Sequence, residues 1–331
     1  MDLLLYIFSS FHTAKSPLSR GQALIVDKQR LLILGVTASG KGKLAFELAK
    51  KLDAEILSID SMKVYRRMDI GTGKPSKEAR KQINYHLIDV VEPSQSFSVD
   101  IFLNLAEQTL KQIESKNKPV IAVGGSAMYI KALLYGIFEG PGTNEQIRRQ
   151  LREQIKQTSL AELHKKLAEI DPVASERIHS NDEKRIIRAL EVYQLTGKPI
   201  SSFQQQFDLP EPKGDWKIIG LHREKSEASR RINARVKKML QLGLVDEVKS
   251  LLAEEKPLSL QARSAIGYAE IIDYLAGKET LEKAVEKIKI NTRRFAKAQR
   301  TWFKTFKNVH WLDTTDDDDI ETILSKTINL L

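Results

Sequence analysis

The chain contains no cysteine. That excludes a disulfide framework, a Cys/His zinc site and a thiol nucleophile, and it is compatible with a reducing compartment. Long apolar runs are missing as well. The run at Leu3–Phe8 is too short for a membrane span, and no basic residue precedes it as in a secretory signal. The expectation is a soluble, cytoplasmic protein that makes no membrane contact. Residues 1–29 read as a poorly ordered N-terminal extension. A transit-type peptide shares its shortage of acidic residues, since Asp2 is the only one before Asp27. Charge of one sign is in excess: 53 Lys and Arg against 43 Asp and Glu give a formal net charge of +10. That balance favours a polyanionic partner and says nothing about fold. What is present in quantity is core-forming material, since 41% of the 331 residues are hydrophobic. That suffices for one large or two unequal domains.

Strand-like runs recur at Leu31–Leu34, Ile56–Ile59, His86–Val91 and Val120–Val123. Helical patterns lie between them, such as Leu44, Leu48 and Leu52, and the stretch from Phe102 to Ile113. Short apolar strands alternating with helices predict a parallel sheet covered on both faces. From Gln146 to Gln206 only helical periodicity is left, broken at Asp171-Pro172, His179–Asp182 and Gly197–Pro199. Trp216–Leu221 and Val309–Leu312 read as strands again. The expected class is α/β, a phosphate-loop (P-loop) parallel sheet flanked by helices and interrupted by an all-helical insertion of about 70 residues. The expected units are residues 30–139 with 213–331 for the core, and 140–212 for the insertion.

Gly35-Val-Thr-Ala-Ser-Gly40-Lys41 follows an apolar strand and opens a helix. In that context Gly35, Thr37, Ala38, Ser39, Gly40, Lys41 and Gly42 are candidate diphosphate-binding residues. Backbone N–H groups curl around phosphate oxygens, the helix N-terminus adds a favourable dipole, and Lys41 reaches the outer phosphate. An ordinary glycine-rich turn is the plainer alternative; strand, helix and lysine in register argue against it. The residue after Lys41 should be Ser or Thr to ligate Mg2+, and here it is Gly42. Asp60 ends the second strand-like run, where ligands of open parallel sheets sit. It can hold Mg2+ through water, act as a base, or simply cap a turn. Gly124-Gly125-Ser126 after the fourth run offers a second backbone nest with a hydroxyl.

Residues 291–307 carry six basic side chains and no acidic one. Arg293, Lys297, Arg300, Lys304 and Lys307 line one helical stripe, and Phe295, Ala298, Trp302 and Phe306 a separate apolar stripe expected to face the core. A solvated basic face is the bland reading; a stripe this long favours nucleic acid. Ser229–Leu242 carries Arg231, Arg235 and Lys238 on one face, with Gly243 as the expected helix stop. Lys184, Arg185 and Arg188 form a third basic cluster.

Together these blocks resemble tRNA dimethylallyltransferases. The resemblance is carried by Gly35–Lys41, Asp60-Ser-Met-Lys-Val-Tyr65, Met68-Asp-Ile-Gly-Thr72, His86-Leu-Ile-Asp89 and Gly124-Gly-Ser126, then by Arg177–Asp182, Arg185–Glu191, Gly197–Pro199, Ile266-Gly-Tyr268 and Asn291-Thr-Arg293. It runs from about residue 30 to about residue 312 by motif order. It implies transfer of a dimethylallyl group from dimethylallyl diphosphate to the exocyclic amine of the adenosine 3′-adjacent to the tRNA anticodon, with Mg2+ as cofactor, by a monomer. Carried over by position, Asp60 is the base, Lys41 and Arg235 bind the diphosphate, and Ser126 keeps a hydroxyl at the reaction channel. Ser61, Met62, Lys63, Tyr65, Lys184, Arg185, Arg188, Gly267, Tyr268, Arg293, Lys297 and Arg300 would hold the tRNA. Departures are Val36 for proline, Lys63 for the frequent glutamine, Ala269 and Ala298 for basic residues, and Gly42 for the loop hydroxyl. A nucleotide kinase or ATPase, a relative acting on free adenine nucleotides, and a tRNA-binding protein disarmed at Gly42 are the competing readings.

Overall fold

A computed structural model of the chain describes residues 30–136, 140–203 and 212–331. The expectations for residues 1–29 lie outside the described residues. Six parallel strands form one sheet in the order β3-β2-β4-β1-β5-β6. They are β1 (Arg30–Gly35), β2 (Glu55–Ile59), β3 (Tyr85–His86), β4 (Val120–Gly124), β5 (Trp216–His222) and β6 (Val309–Asp313). β1 is central and buried on both faces, as its unbroken apolar sequence requires. Alternation along the strand divides its side chains between two cores. Leu31 and Ile33 pack with Leu44 and Leu48 of α1 (Lys41–Leu52) on one face, and Leu32 and Leu34 join the larger core with Phe102, Ile130 and Phe303 on the other.

The run at His86–Val91 is mostly not strand. Pairing with β2 stops at His86, and Leu87 and Asp89 take positive φ angles of 59° and 56°. The turn brings the Asp89 carboxylate onto Lys74 Nζ at 2.6 Å, while Lys74 also donates to Asp69 Oδ1 at 2.7 Å. Burying that ammonium needs both carboxylates, and the demand overrides the strand propensity of Ile88 and Val90.

Between β4 and β5 come α2 (Glu145–Gln157), α3 (Leu160–Ile170), α4 (Pro172–Arg177) and α5 (Glu183–Thr196), around a separate core of Leu151, Leu163, Leu167, Ile186, Ile187 and Leu190. Its breaks fall at the expected signals. Asp171 caps α4 through Ala174 N–H, and Gly197 ends α5 at φ 70°. One ionic knot sits inside. Glu191, fully buried, accepts Asn144 N–H at 2.6 Å, a fork from Arg148 at 2.9 and 3.1 Å, and Arg188 at 2.8 Å. Arg188 also donates to the carbonyls of Pro141 and Gly142, so it fastens the entry of this helical segment to α5. Arg188, expected to hold tRNA, is thus also a structural tie within the segment.

After β5 the chain forms α6 (Lys225–Gln241), α7 (Leu244–Leu252), α8 (Tyr268–Leu275) and the long α9 (Leu281–Phe303). No helix among the described residues is long and apolar enough to cross a membrane. Gly243 at φ 96° separates α6 from α7, as expected of a helix stop.

Burial alone would raise the Glu191 pKa, but the Asn144 N–H and the two arginines hold it below the usual carboxylate value. Its stabilising effect is present above the unfolded pKa and is lost as pH falls through the lower folded value. Glu191→Ala is expected to destabilise the helical segment by about 3 kcal/mol, the low end for breaking a buried pair, because Arg148 and Arg188 are each about a quarter exposed and can be rehydrated. The check is denaturant unfolding of wild type and variant near neutral pH, with a much smaller difference in acid.

Candidate functional site

Three strand ends meet at one side of the sheet. The β1–α1 loop, the Asp60 turn after β2 and the Gly125-Ser126 turn after β4 line a cavity of about 1300 Å³ together with α6, α9 and the segment 69–80. The switch in strand order lies here, where open parallel sheets take ligands.

The β1–α1 loop is held in its curl from outside. Arg231 Nε donates to Ala38 O at 2.9 Å, fixing Ala38 at φ 63°, and Gly40 completes the turn at φ 98°, where a side chain would be strained. Thr37 N–H donates to Gln299 Oε1 at 2.8 Å, and Gln299 Nε2 donates to Gly125 O at 2.8 Å. One buried amide on α9 therefore ties the first loop to the third. The second joins through Ser61 N–H, which donates to Ser126 Oγ at 3.1 Å. Asp60 spends Oδ1 on the N–H groups of Met62 and Lys63 at 2.9 and 3.2 Å. That is the turn-capping role, and it orients the carboxylate with Oδ2 unbonded among the described residues.

Charge converges on the same space. Burial, then Lys63 and then Arg235 push the Lys41 ammonium down to about 7, with Asp60 opposing. Arg235 is also lowered by burial but remains a cation, and its Nη2 donates to Thr72 O at 3.4 Å. Three cations sharing a low-dielectric pocket with one carboxylate repel one another until an anion lies among them. The pocket is thus built for a small polyanion. A Cβ built on Gly42 meets no heavy atom within 4 Å, so the missing hydroxyl is a matter of sequence and not of space.

Gly35, Thr37, Ala38, Ser39, Gly40, Lys41 and Gly42 lie together in this loop, and all but Gly35 line the cavity. Asp60, Ser61, Met62, Lys63, Ser126, Arg235, Gly267 and Tyr268 line it too. Two expectations need correcting. Tyr65 is wholly buried and lies off the cavity wall, so its ring offers no surface to a macromolecule, and Tyr268 is wholly buried at the cavity wall, away from the outer surface. Tyr268 instead donates its hydroxyl to Glu247 Oε1 at 2.6 Å, beneath the loop it supports. The apolar stripe 295–306 holds only at its end: Trp302 and Phe306 pack on the core as expected, but the two earlier positions do not. Ala296, Gln299 and Phe303 face the core, whereas Phe295 and Ala298 are exposed, and Phe295 forms part of the cavity wall. Lys184 and Arg185 are exposed on α5, apart from this pocket; Lys297 is exposed on α9, and Arg293 and Arg300 are half-buried there. Arg293 donates to Asn233 Oδ1 at 2.7 Å.

Two positioning residues escaped the sequence reading. Gln299 looks like one more polar residue in a basic helix, and nothing local marks it as a bridge. Glu247 accepts the N–H groups of Asp69, Ile70 and Gly71 at 2.9, 2.7 and 3.1 Å, fixing the loop that carries Thr72 to Arg235. A carboxylate followed four residues after a glycine stop carries no such signal.

Residues 63–306 match the family model described as IPP transferase. The chain is 44% identical over 288 residues to a tRNA dimethylallyltransferase of Geobacter metallireducens, covering 87% of this chain and 93% of that protein. It is 43% identical over 301 residues to a tRNA dimethylallyltransferase of Thermotoga maritima, covering 90% and 97%. Among solved structures, the tRNA isopentenylpyrophosphate transferase of Bacillus halodurans aligns with a TM-score of 0.67 at 39% identity, over 91% of this chain and 95% of that one. A eukaryotic dimethylallyltransferase described as acting on tRNA aligns with a TM-score of 0.75 at 28% identity, over 91% and 77%.

Lys41 is charged below about pH 7 and loses its proton above it. An entering anion favours the charged form, so binding above that pH draws a proton onto Lys41, and the affinity it supplies declines as pH rises. Calorimetry of inorganic diphosphate at about pH 8, in buffers of different ionisation enthalpy, should report proton uptake that shrinks in Lys41→Arg, because arginine stays charged. Equal uptake by both proteins would contradict this assignment.

Proposed function

This chain belongs to the IPP transferase family, and from that premise we infer that it transfers a dimethylallyl group from dimethylallyl diphosphate to the exocyclic amine of the adenosine 3′-adjacent to a tRNA anticodon, releasing diphosphate. The observation that carries the reading is the arrangement of the cavity: one oriented carboxylate, Asp60, shares it with the cations Lys41, Lys63 and Arg235.

The diphosphate lies against the β1–α1 loop, where the first N–H groups of a helix have no intrahelical acceptor. As the allylic C–O bond breaks, its electron pair stays with diphosphate, and Lys41 and Arg235 stabilise the charge that develops there. The adenine amine nitrogen forms the new bond to the allylic carbon and passes a proton to Asp60, whose free Oδ2 faces the reaction while Oδ1 keeps the turn. Ser126 adds a hydroxyl beside Ser61, at the junction of the two loops. The exposed Phe295 supplies apolar wall for a hydrocarbon chain.

A magnesium ion would be held here through water by Asp60 and would supply positive charge to the leaving diphosphate. Asp60 Oδ2 is the available carboxylate oxygen, and no group of three His, Cys, Asp or Glu suited to a metal occurs among the described residues. To reach the pocket the adenine must leave its stack, and contacts with the tRNA backbone offset that cost. Lys184 and Arg185 on the helical segment, with Lys297, Arg293 and Arg300 on α9, are the cations we assign to this role. Among the described residues one chain supplies the whole cradle, which supports action as a monomer.

Transfer of labelled dimethylallyl from its diphosphate to unmodified tRNA is the direct assay. Asp60→Asn is expected to lower turnover by roughly 10²–10⁴-fold, with tRNA affinity within about twofold of wild type because its phosphate contacts remain. Unchanged turnover would remove Asp60 as the proton acceptor.

A further inference from the structure

Two departures in the sequence open onto the same cavity. Gly42 leaves the first turn of α1 without a hydroxyl, and Lys63 adds a lysine to the cavity wall that Asp60 shares, its own N–H held by Asp60 Oδ1 at 3.2 Å. Lys63 is not committed elsewhere. Among the described residues it forms no ion pair, whereas neighbouring Lys74 is saturated by Asp69 and Asp89. Lys41 feels the charge of Lys63 ahead of that of Arg235. Lys63 lines the cavity together with Lys41 and Arg235, so its charge is held close to theirs. Such a charge is costly to bury unless something anionic uses it. Lys41, Lys63 and Arg235 together match the roughly three negative charges of a fully ionised alkyl diphosphate, by analogy with phosphate esters.

We propose that Lys63 supplies to the diphosphate the positive charge that a loop hydroxyl with its metal ion would otherwise bring, so that this cradle holds diphosphate with little dependence on magnesium. The proposal rests on the transferase reading, which makes diphosphate the ligand of the loop. It accounts for both departures at once: the metal-anchoring hydroxyl is dispensable because a fixed cation is present. A lysine is a point charge on a flexible stem, suited to meeting phosphate oxygens wherever they settle.

The test is calorimetric titration of the full chain with inorganic diphosphate, in Mg2+ and in EDTA. Wild-type affinity should differ by less than about threefold between the two, on the scale of a weak charge contribution. Lys63→Gln should lose about tenfold or more in EDTA and regain most of it in Mg2+, the more so when Gly42→Thr is added. Lys63→Arg, which keeps the charge, should bind without metal as wild type does, and melting curves of each variant establish that it is folded. A wild-type loss of tenfold or more in EDTA would overturn the proposal, as would a Lys63→Gln loss of equal size in both conditions. No tRNA enters these titrations. Absence of prenyl transfer to tRNA alongside metal-independent diphosphate binding would count against the transferase reading and leave the role of Lys63 standing.

Discussion

A loop that presents N–H groups to an anion must satisfy its remaining polar groups elsewhere, and that constraint organises this molecule. The amide of Gln299 answers it by accepting from Thr37 and donating to Gly125, partners 262 and 174 positions away in the sequence. Because α9 must place that amide at the sheet, Ala296 and Phe303 are buried with it and the helix runs across the strand ends. Arg231 on α6 performs the matching task for Ala38. The phosphate loop is therefore local in sequence but held by helices from the far end of the chain.

The electrostatics follow from that closure. Bringing α6 over the loops delivers Arg235 to a pocket that already holds Lys41 and Lys63, and burial makes their repulsion strong. Asp316, on the loop after β6, draws Arg223, Arg230 and Arg231 together and limits the excess at the rim of the loop. In the same acidic run, Asp318 pairs with Lys326 and Asp319 caps the helix that follows. A charged cradle of this kind stores repulsion that an arriving diphosphate relieves, which couples binding to proton uptake at Lys41.

Much of this was legible in the sequence where the signal is local. Strand, glycine loop and lysine fall within a dozen residues, so Gly35–Lys41 and β1 could be placed from pattern alone, and Asp60 and Ser126 followed from their positions at strand ends. The stops at Asp171, Gly197 and Gly243 were equally plain. What failed depended on distant partners. Periodicity puts glutamine on the wet face, so the expected apolar stripe holds at Trp302 and Phe306 but not at Phe295 and Ala298: Gln299 is inside because it is hydrogen-bonded at both ends, and Phe295 is outside because it walls the cavity. Tyr65 and Arg188 belong to motifs of the resembling family, but the first is core and the second is occupied by Glu191 and two carbonyls. Motif order identifies a family without saying which side chains of a motif face outward.

The central claim is that the loop from Gly35 to Lys41 holds a prenyl diphosphate and not a nucleotide. Parallel titrations of the protein with dimethylallyl diphosphate and with ATP test it most directly. The account predicts saturable binding of dimethylallyl diphosphate that is abolished in Lys41→Met, with ATP binding weak or undetectable. Tight ATP binding with none for dimethylallyl diphosphate would contradict it.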